Sequence, residues 1–363
     1  SLKEARMLQE LKLRLPFDSL IESKESIAKY IKDFDFLKSL SIEYHKNNVV
    51  KPQVIENLKN IPLQVFELLA NGGLPSLKPL AEIQDSLRIL KINIKGITEK
   101  DLIQVPSLSK IEEFWIEVQG ESTSTATIGR IIDGFGNLKR LKLGFNIKDD
   151  SQQFHNIFRN ITKTLSQLKS ISVYVTNVNG GYDSMNNFIK KHNKLERFFF
   201  EYEGPFMMTN LVSVIEGIIS SKETMKSFKI RLNSCKSEKA RDNRPIKVLL
   251  NILKECKDLE ELGMVMPDIK LLTPESKDMA HLLPKLKKLK KADIHFDYRD
   301  IGEKGLEEIK ETLLQKLKVP YFTFKGEPGI VQGTSDKENP KETRNFEYEC
   351  TLVRIRGFSL NFP

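Results

Sequence analysis

NLKRLKLGFN, residues 137–146, places Leu138, Leu141, Leu143 and Phe145 at offsets 1, 4, 6 and 8, with Asn146 at offset 9 and basic or small residues between. A single stretch of this kind is an ordinary amphipathic fragment. Repeated at a bounded period, it dictates an array of units that bury their apolar faces only against one another.

Offset 1 recurs at Leu37, Leu63, Leu87, Ile111, Leu138, Leu168, Leu195, Met225, Leu259, Leu289 and Leu317, with gaps of 24 to 34 residues. Counting offsets 1, 4, 6 and 8 over these eleven units, 43 of 44 slots are apolar or aromatic in a chain that is 39% hydrophobic, and only Pro320 fails. Chance does not fill slots in that way. Offsets 4, 6 and 8 alternate with more polar residues at 3, 5 and 7, the period-two signature of a strand with one buried face.

Helix-period segments lie between the strands. Phe154, Ile157, Phe158, Ile161 and Leu165 share one face, with Asp149, Asp150 and Ser151 ahead of them as caps. Leu211, Val214, Ile215 and Ile218 repeat that spacing, as do Met185, Phe188 and Ile189 after Asp183. Pro245 suits a first turn before Ile246, Leu249, Leu250 and Leu253, and Leu306, Ile309 and Leu313 follow the same logic. Strand followed by helix is the order a parallel sheet requires.

These units resemble leucine-rich repeats, LxxLxLxxN followed by a helix, and are closest to the longer ribonuclease-inhibitor-like class, over roughly residues 30–325. The resemblance implies an α/β solenoid, a horseshoe with a parallel sheet on its concave face and helices on its convex face. Two departures mark the repeats as degenerate. Asparagine stands at offset 9 only at Asn71, Asn146 and Asn233, so the family's asparagine ladder is mostly missing; and offset 8, usually exposed in the family, is apolar throughout. Strands extended by about two residues, with longer backbone pairing, account for both. Spacing argues for the same arc, because strands sit about 4.8 Å apart while packed helices need about 8–10 Å.

The expected organisation is an N-terminal helical cap over 1–33, with Leu8, Leu11 and Leu15 on one face and Ile27, Tyr30 and Ile31 in a second helix. The repeat array then spans 34–325. A flexible loop follows over 326–345, rich in Gly, Pro, Ser and charge, and a capping strand over 346–363, where Phe346, Tyr348, Cys350 and Leu352 alternate with polar residues. At 363 residues the chain exceeds the usual single domain, which a repeat array tolerates because each unit packs only on its neighbours.

Composition narrows the function classes. No apolar run is long enough to cross a membrane. The net charge of +9, from 58 basic and 49 acidic side chains, is diluted over a large surface, whereas nucleic-acid binders concentrate theirs. Three scattered cysteines, Cys235, Cys256 and Cys350, give no disulfide framework and point to an intracellular, reducing compartment. The chain opens at Ser1, which fits a processed product, and this end lacks a signal-peptide layout.

No phosphate loop, dinucleotide turn, zinc helix or CxxC pair occurs, and the five histidines are isolated from one another and from cysteine. No cofactor, metal or catalytic site is expected, and the chain is read as a non-enzyme. The run KLKKLKK at 285–291 places Leu286 and Leu289 inward and its lysines outward at a helix-to-strand junction. It serves as a solvated face or, alternatively, as a phosphate or anionic-lipid contact.

Offsets 3, 5 and 7 point into the hollow of the arc. Over units four to eight they form a patch of Trp115, Arg140, Lys142, Tyr174, Arg197, Phe199, Lys229 and Arg231, with Glu113, Glu117 and Glu201 among them. Exposed aromatics with arginine are the residue types that dominate binding hot spots. The competing reading is that these aromatics pack on neighbours across the sheet, and a register slip of one residue would bury them. The expectation is a recognition or scaffold subunit holding a polypeptide partner on its concave face within a larger assembly. Two alternatives stand beside it: a nucleic-acid-associated subunit using Lys91, Arg140, Lys142, Arg197, Lys229 and Arg231, and the substrate-recognition arm of an enzyme complex such as a ubiquitin ligase.

Overall fold

The computed structural model describes residues 7–15, 34–44, 58, 61–70, 78–95, 108–119, 125–146, 151–161, 165–178, 180–236, 244–270, 273–297, 308, 311–312, 321–326 and 329–334. Within them, thirteen strands lie side by side in chain order in one sheet. The first twelve pair parallel, and the last is antiparallel to its neighbour. They are β1 Glu10–Leu15, β2 Ser39–Tyr44, β3 Val65–Ala70, β4 Ile89–Lys95, β5 Glu113–Gln119, β6 Arg140–Asn146, β7 Ser170–Thr176, β8 Arg197–Met207, β9 Ser227–Lys236, β10 Glu261–Lys270, β11 Lys291–Asp297, β12 Tyr321–Gly326 and β13 Gly329–Thr334. The chain is an α/β repeat solenoid, with its sheet on the concave face and its helices on the convex face.

Every neighbouring pair from β4 to β9 is in register at equal offsets, for example Leu141↔Ile171↔Phe198↔Phe228 at offset 4. Each apolar offset therefore forms a continuous buried row. Leu138, Leu141, Leu143 and Phe145 are all sealed, and their counterparts at offsets 1, 4 and 6 from Leu37 to Ile294 are likewise buried. At offset 8 the rule holds from Phe145 to Phe296. Strand entry is fixed by one recurring bond pair. The offset-2 carbonyl accepts from the N–H groups of offsets 2 and 3 in the next unit, at 2.7–3.1 Å, from Gln9 through Lys38 to Glu260. This aligns β1 to β11 at the same end without help from side chains.

Among the described residues, the α-helices seen from end to end are α1 Thr125–Asp133, α2 Ser151–Asn160, α3 Tyr182–Lys190, α4 Thr209–Ile215, α5 Arg244–Glu255 and α6 Thr273–Leu282. The expected faces are buried: Phe154, Ile157 and Phe158 in α2, Met185, Phe188 and Ile189 in α3, and Leu249, Leu250 and Leu253 behind Pro245 in α5. α4 hands over to a 3₁₀ turn at Glu216–Ser221 that buries Ile218. Between α2 and the sheet the core turns aromatic. Phe154 meets Phe145 at 4.9 Å, Phe158 at 5.1 Å and Tyr182 at 5.1 Å, and Tyr182 reaches Phe206 at 5.7 Å. These edge-on and tilted contacts add to area burial. α1 and α2 approach so closely that a Cβ on Gly129 would lie 2.7 Å from Asn160. Gly204, at φ +123°, occupies a backbone region that side chains resist and lies at the register shift between Tyr202 and Pro205.

Three expectations require correction. The first concerns the N-terminal cap. Residues 10–15 form strand β1, not a helix, paired Leu11↔Leu40 and Leu13↔Ile42. ELKLRL carries both periods, but Leu8, Leu11, Leu13 and Leu15 fill offsets 1, 4, 6 and 8, and the template of β2 selects the strand. The array thus starts one unit earlier; Ile27, Tyr30 and Ile31 lie outside the described residues.

The second is the last register. Phe322 pairs with Ala292 and Phe324 with Ile294, two residues from the expected alignment. Pro320 was never an offset-4 residue, and its failure to fit marked the slip. Third, 326–345 is not wholly loop: Gly329–Thr334 folds back on β12, with Gly326↔Gly329 the innermost pair and Phe324↔Val331 further along. The anticipated capping strand over 346–363 lies outside the described residues. α3 begins at Tyr182, with Gly181 at φ 81° as its N-cap and no side-chain cap bond.

Of the offset-9 asparagines, Asn146 and Asn233 make no inward ladder, and Asn71 lies outside the described residues. Asn146 is exposed while β6 pairs through it to Thr176, and Asn233 bonds to Glu201. Continued pairing beyond offset 8 keeps the two-residue alternation, which turns offset 9 to the hollow side.

Candidate functional site on the concave sheet

Sheet parity decides what the hollow presents. On β5, Phe114 and Ile116 are sealed in the core, while Trp115 between them is half-buried. Register then sets its neighbours: Lys91 on β4 and Lys142 on β6 lie directly opposite. Their ammonium groups stand 5.7 Å and 5.9 Å from the indole centroid, flanking it with positive charge as cation–π geometry prefers. The Trp115 Nε1–H is shielded from solvent and has no acceptor among the described residues. Folding alone does not favour that arrangement, because an unpaired buried donor costs about 1–3 kcal/mol.

Two carboxylates on the same strand brace this centre. Glu113 is 7% exposed and takes Arg140 Nε at 2.7 Å and Lys142 Nζ at 3.0 Å. Glu117 is 1% exposed and accepts from Asn93 Nδ2. Gly144, opposite Glu117 in the offset-7 row, makes room for that side chain, since a Cβ there would meet Glu117 Cγ at 3.1 Å. The acids lie low in the sheet and the bases ride above them. Arg140 keeps 47% of its side chain exposed and Lys142 34%.

Two strands further on, Tyr174 and Phe199 meet at 5.2 Å with their rings tilted, both half-buried. The pair bridges the offset-7 and offset-5 rows of adjacent strands. Ser172, small and 8% exposed, lies between Lys142 and Phe199 in the central row. It leaves a dip between the Trp115 and Phe199 ends. Arg197 is exposed and stands between Ser170 and Ser227 in its row, with no carboxylate opposite on either side. Lys229 pairs with Glu261 at 2.7 Å. Arg231 faces Glu201, whose carboxyl is raised above its usual range by burial, against the pull of Arg231 and assisted by Glu203.

All eight sequence-predicted residues thus lie on the hollow side of β5–β9, and none enters the core. The structure groups them into a Trp115–Arg140–Lys142 centre and a Tyr174–Arg197–Phe199 centre, with Lys229 and Arg231 at the far edge. Sequence reasoning did not find that Glu113 and Glu117 are buried braces. Offset parity placed them on this face, but only packing shows their depth. It also passed over Ser172 and Gly144, because small residues in a row carry no signal until their neighbours are known.

No family model matches the chain, and no curated protein does. Among solved structures that match, that of the TLR13–ssRNA13 complex is 13% identical over 86% of this chain and 58% of that chain, with a TM-score of 0.31. The chain therefore spans less than two thirds of the matched one. A likeness this slight carries no argument about ligand, and the fold stands on the strand register and burial above.

Other chemistry-bearing residues are structural. Cys256 is buried, and burial pushes its thiol up to about 12, far from a reactive thiolate. His192 is buried and plugs the turn before β8: its Nδ1 donates to the Phe188 carbonyl at 2.7 Å, and its Nε2 accepts from the Leu165 N–H at 3.2 Å. Ser184 Oγ contacts His155 Nδ1 at 2.5 Å, and the pair ties α2 to α3. Among the described residues no three His, Cys, Asp or Glu are grouped to hold a metal ion, and no helix is long and apolar enough to cross a membrane.

Two lysines of the run 285–291 have partners on the rim of the sheet. Lys288 pairs with Asp258 at 2.6 Å and Lys290 with Glu260 at 2.7 Å, each matching an acid at the same offset of the preceding unit. Glu196 does the same for Lys169 and Lys226, which hold its carboxyl below its usual range.

Proposed function

We propose that the chain is a recognition subunit that holds a polypeptide partner on the concave face of its sheet, and that it is a degenerate relative of the ribonuclease-inhibitor-like leucine-rich repeats. One observation carries this reading: Trp115, Tyr174 and Phe199 stand half-buried on a polar face, outside a core that is complete without them. Large aromatics presented in this way, ringed by arginine and lysine, make the hot-spot chemistry of protein interfaces. A phosphate backbone fits less well. Arg140, Lys142 and Lys229 already hold carboxylates, and an approaching phosphate would meet Glu113 and Glu261 as well as the cations.

The test is partner capture by the full chain at native expression. Trp115→Ala combined with Phe199→Ala is expected to abolish capture while the circular-dichroism spectrum and thermal midpoint stay close to wild type. Undiminished capture by the double variant discards the concave site.

A further inference from the structure

The charges of the concave face are separated by depth, and that separation selects among polypeptides. From β4 to β10, offsets 3, 5 and 7 carry six cations (Lys91, Arg140, Lys142, Arg197, Lys229 and Arg231) against four carboxylates (Glu113, Glu117, Glu201 and Glu261). Glu113 and Glu117 are buried at 7% and 1%, whereas Arg140 and Arg197 are exposed. Around β5 and β6 a ligand meets guanidinium and ammonium groups before carboxylates. Arg197 has a serine opposite it on either side, Ser170 and Ser227, and it stands two residues from Phe199 on the same face of β8.

Geometry limits the backbone of the ligand. Trp115 and Phe199 share the central row three strands apart, roughly 14 Å at about 4.8 Å per strand. An extended chain rises about 3.3 Å per residue and presents alternate side chains to one side, so residues i and i+4 fall over the two aromatics. Residue i+2 then falls between Lys142 and Ser172 in the same row. A helix needs about nine residues for the same span, and its side chains turn away between the two anchors.

Resting on the concave face as a polypeptide site, we infer that its occupant is an extended acidic segment, with apolar or aromatic side chains four residues apart on Trp115 and the Tyr174–Phe199 pair and an Asp or Glu on Arg197. Arginine takes such a carboxylate through paired N–H donors, and the exposed Arg197 is free to orient for it. The buried Glu113 holds Arg140 and Lys142 in place, and the buried Glu117 is capped by Asn93, so neither carboxylate faces the ligand directly.

The experiment is selection from a random twelve-residue peptide display library against the full chain, followed by anisotropy titration of the enriched peptides. A single-stranded RNA 12-mer is titrated in parallel. Enrichment of Asp or Glu beside aromatic or aliphatic residues four apart is expected. Trp115→Ala and Arg197→Gln should each weaken binding at least tenfold, and Arg197→Gln should lose its effect once the peptide's acid is replaced by its amide. Basic or uncharged peptides that still require Trp115 overturn the acidic assignment and leave the concave polypeptide site standing. Enrichment indifferent to Trp115 overturns both. No enrichment, with or without RNA binding, also overturns the assignment.

Discussion

His192 shows how one side chain is committed by its neighbours. A carbonyl only accepts, so the bond to Phe188 requires the Nδ1–H. An amide N–H only donates, so the Leu165 bond requires a bare Nε2. The ring is therefore neutral in the fold, and burial first, then Lys191, hold its pKa below the usual 6.5, against the Phe188 bond that raises it. With a folded value below the unfolded one, the contribution is fully present above about pH 6.5 and is lost as pH falls through the folded value, because the unfolded chain takes the proton first. Thermal midpoints are expected to drop between about pH 7 and 5, above the range where ordinary carboxylates titrate. His192→Gln retains an acceptor and a donor without titrating, and should flatten that slope. An equally steep slope in the variant would assign the acid sensitivity elsewhere. Trp115 belongs to the same scale. Its parity was legible from the alternation EFWIEV, but its two lysines and its unpaired indole N–H were not, since both follow from which strand lies beside which.

Strand β1 is where an element's identity was settled by its neighbour. Leu8, Leu11 and Leu15 satisfy a helical face, while Leu11, Leu13 and Leu15 satisfy a strand, and the stretch is short enough for either. Parallel pairing to β2 decides in favour of the strand, and Leu11 and Leu13 pack against the core from the open end of the sheet. Leu13→Asp places a charge on that packed face and is expected to cost about 1–3 kcal/mol. Hydrogen exchange should show the loss of protection confined to β1 and β2, with β6 to β9 unchanged, because a solenoid unit touches only its neighbours. Protection lost evenly along the chain would contradict nearest-neighbour coupling. The longer strands β8 to β10 were beyond reading from sequence. β8 runs to Met207 through the register shift near Gly204, which no hydrophobic period announces.

Across the whole molecule, cohesion is uneven. The aromatic contacts among Phe145, Phe154, Phe158, Tyr182, Phe200 and Phe206 and the longest strands fall in the units from β6 to β10. Trp115, the only tryptophan, lies on β5 at their N-terminal side and reports locally on the less cohesive part. In urea, its fluorescence transition is expected to precede the far-UV circular-dichroism transition, since a repeat array of this length departs from all-or-none unfolding. Coincident transitions would overturn this. The rim ion pairs add little to the balance: Lys288, Lys290 and Lys169 are more than half exposed, and solvent screens such pairs.

The apolar period of two within a period of 24 to 34 determined the parallel order of strands, the inward rows and the hollow-facing set around Trp115 and Phe199. Those properties depend only on which residues repeat, and repetition is visible in one dimension. Tertiary structure alone decided that Glu113 and Glu117 lie buried beneath exposed bases, that residues 10–15 extend the sheet, that the last unit shifts by two and that Gly329–Thr334 folds back on β12. Each of these is a choice between locally equivalent options, and the deciding free energy comes from a neighbouring strand that no local window contains.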